Sequence, residues 1–392
     1  MKWEYKTLDQ LGIVSRGKSK HRPRNDPTLF GGEYPFIQTA DVKAAPFYIS
    51  EYSATYNEKG LEQSKLWHTG TLCITIAANI ADTGILAMDA CFPDSVMGFV
   101  PYDEISDVRF VKYSFDILQA KCKKISQGTA QDNLSWEKLS TIQFPAPPFA
   151  TQKRIADILS TYDEMIENNQ KQIKLLEEAA QRLYKEWFVD LRFPGHENTK
   201  IVDGLPEGWN VKSIDDIAEY INGYAFKPSD WGTLGKPIIK IKEMSSGVTA
   251  DTPRNSGENI PIKYNVTAGD ILFSWSATLS AMIWDEEDGL LNQHLFKVIP
   301  CNGISREFVL QSILKTLDEF SNLTTGSTMK HIQRGKLKEV HVNTPTEKLM
   351  KEFESISEPI RNQVLKLKRQ IIVLQEARNR LLPKLMGGEI EV

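Results

Sequence analysis

Residues 153–189, KRIADILSTYDEMIENNQKQIKLLEEAAQRLYKEWFV, carry the strongest constraint in the chain. Ile155, Leu159, Tyr162, Ile166, Asn169, Ile173, Leu176, Ala180, Leu183 and Trp187 recur at alternating steps of four and three. That spacing is a heptad seam with one polar interruption, at Asn169. No glycine or proline lies inside the stretch, and the other positions are largely Glu, Lys, Gln, Asp and Arg. Those residues favour helix and a solvated face. At about 1.5 Å per residue the helix is roughly 55 Å long. So narrow an apolar stripe on so long a helix needs a partner helix.

The partner is encoded in the same chain. Shifted by 198 positions, the seam reappears as Phe353, Ser357, Ile360, Val364, Leu367, Ile371, Leu374, Arg378, Leu381 and Leu385. LLEEAAQRLYK from 175 is answered by VLQEARNRLLP from 373. Upstream, GTAQDNLSWEKLSTIQFPAPP from 128 aligns with GSTMKHIQRGKLKEVHVNTPT from 326, and Lys138/Lys336, Leu139/Leu337 and Pro147/Pro345 coincide. A repeat this long fixes the architecture before any motif is read. The expected fold is α+β: two similar mixed α/β blocks joined by two long antiparallel helices in a coiled coil. A pseudo-two-fold axis crossing the helices would carry the blocks to opposite ends of a rod. Pro359, early in the second helix, predicts a kink or a break. Asn169 matches Leu367 and reads equally as a register-setting residue or as a polar residue tolerated in a wet seam.

A length of 392 residues suits two to three domains. No apolar run is long enough to span a membrane, and MKWEYKTLDQ has no apolar signal core. Cys73, Cys91, Cys122 and Cys301 are scattered, so thiols in a reducing, cytoplasmic setting are expected. A net charge of −4 does not announce a nucleic-acid binder, so any basic surface must be local.

In chain order, WEYKTLDQLGIVSRGKS reads as a strand or turn, a short helix, then a loop. YPFIQTADV (34–42) and TLCITIAANI (71–80) read as β-rich. VRFVKYSFDILQAKCKKI (108–125) has helical spacing, and IQFPAPPF (142–149) reads as a short strand with a proline-stiffened exit. FPGHENTKIVDGLPEGW (193–209) reads as a linker. The second block repeats the first: WNVKSIDDI answers WEYKTLDQL, KPIIKIKEM answers YPFIQTADV, and GDILFSWSATL answers GTLCITIAANI.

Catalytic signatures are missing. APPF (146–149) has Ala146 where the [DN]PP[FY] motif of amino-methyltransferases needs Asn or Asp, so it reads as a strand-to-helix connector. GTLGKPI (232–238) fails the phosphate-loop spacing. The histidines show no metal-ligand spacing, and no metal site is expected. The chain does not read as an enzyme by itself.

Candidate DNA contacts are more visible. RGKSKHRPR (16–24) holds Arg16, Lys18, Lys20, Arg22 and Arg24 with no acid among them, beside His21. Gly17 and Pro23 favour an extended loop, and alternation there would set the charges on one side. Such a row suits phosphates, with one or two arginines reaching guanine edges; the plain alternative is a solvated surface run. Thr129, Gln131 and Asn133, and in the other half Thr325, Ser327, Lys330 and His331, lie beside Gly128 and Gly326 and offer hydroxyls, amides and charge. They read equally as turn residues. Lys227, Lys240 and Lys242 interleave with Tyr224 and Phe226, a pattern that core aromatics also explain.

Taken together, GKSKHRP with YPFIQTADV, the long-helix stretch with LPEGW, TTGSTMKHI and RNRLLPKLMGGEI resemble the specificity (S) subunit of type I restriction-modification systems, over essentially the whole chain. The resemblance implies a first target recognition domain over 1–147, a first conserved long helix over 148–192, a linker over 193–205, a second recognition domain over 206–345 and a second conserved helix over 346–392. It adds Gln38 and Thr39 to the candidate DNA contacts. It implies that each domain reads one half of a bipartite, asymmetric DNA site, and that the helices dock two methyltransferase subunits, with restriction subunits joining them. S-adenosylmethionine, and ATP with Mg, would sit in those partners, with no cofactor in this chain and no membrane partner. The rival readings are a two-headed DNA-binding regulator without catalytic partners and a coiled-coil scaffold; the acid-free loop at 16–24 counts against the scaffold.

Overall fold

The computed structural model describes residues 3–76, 82–125, 136–322, 332 and 334–392. They form two compact units, one of Met1–Asn169 with Gln370–Val392 and one of Gln170–Arg369.

In the first unit β1 (Glu4–Lys6) leads into α1 (Leu8–Leu11) and β2 (Gly12–Arg16). There follow β3 (Phe30–Phe36), α2 (Thr39–Ala44), β4 (Tyr48–Ile49), β5 (Ala54–Tyr56), α3 (Glu58–Glu62) and β6 (Leu66–Trp67). Then come β7 (Leu72–Thr75), β8 (Thr83–Leu86), β9 (Ala90–Cys91), β10 (Val96–Pro101), α4 (Val108–Ile125), α5 (Trp136–Leu139), β11 (Phe144–Ala146) and α6 (Phe149–Tyr184). Among the described residues one sheet runs β2-β10-β7-β8-β4, a second runs β5-β3-β9-β6, and β1 pairs with β11. Both neighbours of β10 are antiparallel to it, and Gly98 faces Ser15 on one side and Cys73 on the other. Leu72, Ile74, Phe99, Phe110 and Phe115 build the main core with Ile155 and Leu159 of α6, and with Leu385 and Met386 from late in the chain.

The second unit contains β12 (Ile201–Val202), β13 (Leu205–Pro206), β14 (Asn210–Ser213), α7 (Ile214–Ile217), β15 (Ala218–Asn222), β16 (Lys236–Ile239), α8 (Ile241–Ser246) and β17 (Arg254–Asn255). It continues with β18 (Asn265–Val266), β19 (Ile271–Ser274), β20 (Ser280–Ile283), β21 (Gly289–Leu291), β22 (Leu295–Pro300), α9 (Arg306–Lys315), α10 (Leu317–Asn322), β23 (His341–Thr344) and α11 (Glu347–Met386). Its sheets run β15-β22-β19-β20 and β17-β16-β21-β18, and β14 pairs with β23. Apart from β4 and the β12–β13 pair, which have no counterpart among the described residues, the strand orders match those of the first unit, so the repeat read from the sequence is a repeat of fold.

Local chemistry repeats as well. Thr7 and Ser213 precede α1 and α7, and their backbone N–H groups donate to Gln10 Oε1 at 3.0 Å and Asp216 Oδ2 at 3.1 Å. Gln38 and Lys240 precede α2 and α8 and donate to Asp41 at 2.7 Å and Glu243 at 3.1 Å. Each of these bonds satisfies a donor that the helix start would otherwise leave open.

Five expectations need correction. GIVSR is a strand, β2, because β10 offers it a hydrogen-bonding edge that one sequence window does not show. YPFIQTADV is half strand and half helix, because the Gln38–Asp41 cap starts α2 after Phe36. The 193–205 linker contains β12 and the start of β13, and the neighbouring Phe193 and Trp209 pack into the core of the second unit. The 148–192 helix is α-helical from Phe149 to Tyr184 and closes in a π-helical turn, Lys185–Val189. Finally, α11 runs through Pro359 without a break. Pro359 is exposed, so water can satisfy the carbonyl that its missing N–H leaves open.

Residues of both long helices enter both units. In the first, Arg378 of α11 pairs with Asp163 of α6, and Asp163 also accepts from the Tyr113 hydroxyl at 2.6 Å. In the second, the rings of Trp187 and Phe188 lie 5.9 Å and 4.9 Å from that of Phe353. Ile155, Leu159, Ile166, Val364 and Leu367 are buried seam positions, while Tyr162, Ile173, Leu176, Leu183, Ile360, Ile371, Leu374 and Leu381 are partly exposed. Asn169 is buried.

Candidate nucleic-acid interface

The basic segment of the first unit begins where β2 ends. Gly17 N–H donates to the Val96 carbonyl at 2.8 Å and Lys18 N–H to the Phe92 carbonyl at 3.0 Å. A Cβ on Gly17 would stand 2.4 Å from the carbonyl oxygens of both Phe92 and Pro93, so a side chain cannot fit without moving backbone. The second unit repeats the arrangement: Gly223 N–H donates to Leu295 O at 3.0 Å, Tyr224 N–H to Leu291 O at 2.8 Å, and a Cβ on Gly223 would be 2.1 Å from Asn292 O. Both loops therefore leave their sheets through the same glycine-dependent step. Replacing Gly17 with alanine should cost about 1–3 kcal/mol, read as a lower melting temperature for the first unit. An unchanged melting temperature would mean that the backbone shifts freely here.

Beyond Lys18 the chain turns instead of staying extended. The Lys18 carbonyl accepts from Ser64 Oγ at 2.7 Å, and His21 N–H donates to Gln63 Oε1 at 3.0 Å. Arg22 folds back to donate to the Ser19 carbonyl at 2.7 Å. Arg24 pairs with Asp94 at 2.7 Å, with Arg22 3.7 Å from the same carboxylate, and His21 meets Asp26 at 2.8 Å. Hydrogen bonds from Thr28, first its backbone N–H, hold the Asp26 carboxyl below the usual range, with the His21 bond adding to the effect. The single row of charges expected from alternation is thus broken by two acids, one of them 70 residues from Arg24 in sequence. Arg16, Lys18 and Lys20 have no acidic partner among the described residues. Lys65 adds a fourth cation, its Nζ 3.5 Å from Ser15 Oγ and 3.5 Å from the centre of the Trp67 ring. Exposed ion pairs such as Arg24–Asp94 are worth about 0–1 kcal/mol, so a phosphate can displace Asp94 at little cost. Gln38 is exposed, with Nε2 3.4 Å from Ser53 Oγ, and Thr39 opens α2 beside it.

In the second unit, Tyr224 and Phe226 stack edge-to-face at 5.0 Å, and Phe226 is buried. These aromatics belong to a small core cluster. Lys227 and Lys242 are exposed, and Lys240 Nζ lies 5.3 Å from the Trp231 ring centre. Thr129, Gln131, Asn133, Thr325, Ser327, Lys330 and His331 lie outside the described residues. Ala146–Phe149 spans the exit of β11 and the start of α6, where Gln152 Nε2 donates to the Pro147 carbonyl at 2.8 Å.

The sequence model of one protein family, described as the type I restriction modification DNA specificity domain, matches residues 1–178 and 206–371. The chain belongs to this family. The DNA specificity match covers both copies of the repeat and most of each long helix. The type I restriction enzyme MjaIX specificity subunit of Methanocaldococcus jannaschii is 24% identical, over 100% of this chain and 94% of its own length. The MjaVIII specificity subunit of the same organism is 23% identical, over 74% of this chain and 72% of its own length. The crystal structure of a type I restriction-modification system S subunit from M. genitalium has the same fold, with a TM-score of 0.60, 16% identity, and coverage of 98% of this chain and 96% of that one.

Within this DNA specificity chain, residue-by-residue reading missed Asp94, Asp26, Gln63 and Ser53, which shape the candidate contacts. No spacing marks them, because each meets its partner only through sheet pairing or a turn. It also missed Trp231, whose role depends on exposure.

Proposed function

We propose that this chain is the non-catalytic DNA-specificity subunit of a type I restriction-modification complex. Each unit reads one half of a bipartite, asymmetric site, and the long helices dock two methyltransferase subunits and, where present, restriction subunits. The match of the specificity-domain model to both repeats carries the reading. One observation supports the asymmetry: the loop after β2 holds five Lys and Arg in residues 16–24, whereas residues 223–235 after β15 hold Lys227 alone beside Tyr224, Phe226 and Trp231. Two different heads suit a two-part target, whereas identical heads suit a palindrome. Recognition domains over 1–147 and 206–345 flank the helices in this reading. The helices pair antiparallel as a coiled coil, a pairing supported by Arg378–Asp163 in one unit and Trp187–Phe353 in the other. The candidate contacts are Arg16, Lys18, Lys20, His21, Arg22, Arg24, Gln38 and Thr39 in the first unit, with Lys227, Lys240 and Lys242 in the second. S-adenosylmethionine and ATP with Mg belong to the partner subunits, and the complex works in the cytoplasm.

The experiment is to express the chain with its candidate methyltransferase, and the methyltransferase alone, in a methylation-free host and to map modified adenines. A two-part motif with a fixed gap should appear only with this chain present. Exchanging residues 1–147 for those of a relative should change one half of the motif and leave the gap intact. An active methyltransferase that yields no new motif would sink the proposal.

A further inference from the structure

The loop 228–235 of the second unit exposes two large apolar side chains at its tip, Trp231 at 49% and Leu234 at 83%. Isolated exposed apolar residues need no explanation, but these two sit together on a braced support. Gly232 and Arg254 exchange backbone hydrogen bonds at 2.7 Å and 2.9 Å. Asn255 Nδ2 donates to the Asp230 carbonyl at 2.8 Å. Arg254 donates to the Gly235 carbonyl at 2.9 Å and forms an ion pair with Glu287 at 2.7 Å. The base of the loop is thus held by named bonds while its apolar tip stays in water.

Charges of both signs lie around the loop: Asp230 within it and Glu287 on Arg254 face the lysines of the same unit. Lys240 reaches toward the Trp231 ring. Lys227, Lys236 and Lys242 have no ion pair among the described residues. The nearest acid in sequence, Asp230, is engaged by the Lys227 backbone N–H at 2.7 Å. An apolar tip with Lys240, which has no ion pair among the described residues, over its tryptophan ring fits stacked bases beside phosphates better than it fits an apolar protein groove.

We propose that Leu234 and Trp231 form a wedge that presses against a base step of bound duplex DNA, Leu234 entering between base pairs and Trp231 stacking on an exposed base. The lysines hold the adjoining phosphates. Apolar wedges of this kind part base steps and kink the duplex. The second unit then reads its half-site partly by how easily one step opens, whereas the first unit uses cations. This inference rests on the proposed function, because it needs the second unit to face DNA.

The test uses the complex of the full chain with its methyltransferase, on duplexes carrying 2-aminopurine at successive steps of the half-site assigned to the second unit. Wild type should raise the fluorescence at one step. Trp231→Ala with Leu234→Ala should abolish the rise and weaken binding about 10-fold to 100-fold. Trp231→Phe should retain most of both, which separates stacking from a general loss of fold. Unchanged binding with no fluorescence response at any step would overturn the wedge. So would a double variant that fails to assemble with the methyltransferase while the Lys227→Ala chain assembles normally, because the tip would then be a protein contact. Adenine mapping on wild type keeps the two ideas separable: a bipartite motif with no wedge signal rejects the wedge alone, and no motif rejects the functional reading.

Discussion

Replacing Arg378 with alanine is expected to destabilise the first unit by about 3–5 kcal/mol. The Asp163 side chain is only 4% exposed, and its charge is met by the Arg378 guanidinium and the Tyr113 hydroxyl. Without the arginine, the carboxylate stays in the core with one neutral donor. Removing one partner from a buried pair leaves the desolvation cost without its compensation. The setting is already crowded with charge: burial pushes the Asp116 carboxyl up, against the pull of Lys112. Burial also raises the Tyr113 hydroxyl, and the Asp163 charge raises it further. At roughly 2–4 °C per kcal/mol for a unit of this size, the melting transition should fall by on the order of 10 °C. Asp163→Asn in the Arg378→Ala background should recover part of the loss, a coupling that a double-mutant cycle reads directly. A shift below one degree in the single variant would show that the pair carries no weight.

Phe188→Ala should be as damaging to the second unit. Phe188 is buried and its ring meets five others: Tyr184 at 5.4 Å, Trp187 at 6.1 Å, Trp209 at 5.9 Å, Phe308 at 4.9 Å and Phe353 at 4.9 Å. Truncating it removes the ring's transfer energy and leaves a cavity that the surrounding helices α6, α9 and α11 cannot close, for a cost of about 3–5 kcal/mol. Urea unfolding followed by tryptophan fluorescence should show an earlier transition for this unit, and Phe188→Leu should recover much of the difference. Equal midpoints for wild type and Phe188→Ala would mean that the cluster repacks.

Much of this could be read from the sequence because it is periodic. The 198-residue shift found the two long helices and the repeat of fold, since heptad spacing and aligned text persist where individual residues drift. α4 fell where the helical spacing of Val111, Phe115 and Leu118 put it. What escaped was set by contacts distant in sequence. GIVSR becomes a strand only beside β10. The acid-free run at 16–24 meets its acids in space, at Asp94 and Asp26. Pro359 could not announce its tolerance, because that depends on which way the helix faces water. Trp231 reads like any core tryptophan until its exposure is known.

The first unit closes its core with Leu385 and Met386, so its beginning and its completion are separated by the whole of the second unit. On a ribosome adding roughly 5–20 residues per second, that separation lasts on the order of tens of seconds. During that time Ile155 and Leu159 have emerged while Leu385 and Met386, which complete their cluster, have not been made. The nascent chain thus carries an open apolar seam at the stage when aggregation competes best with folding. A circularly permuted gene that begins at residue 370 would remove the delay, giving the first unit all its segments before the second is translated.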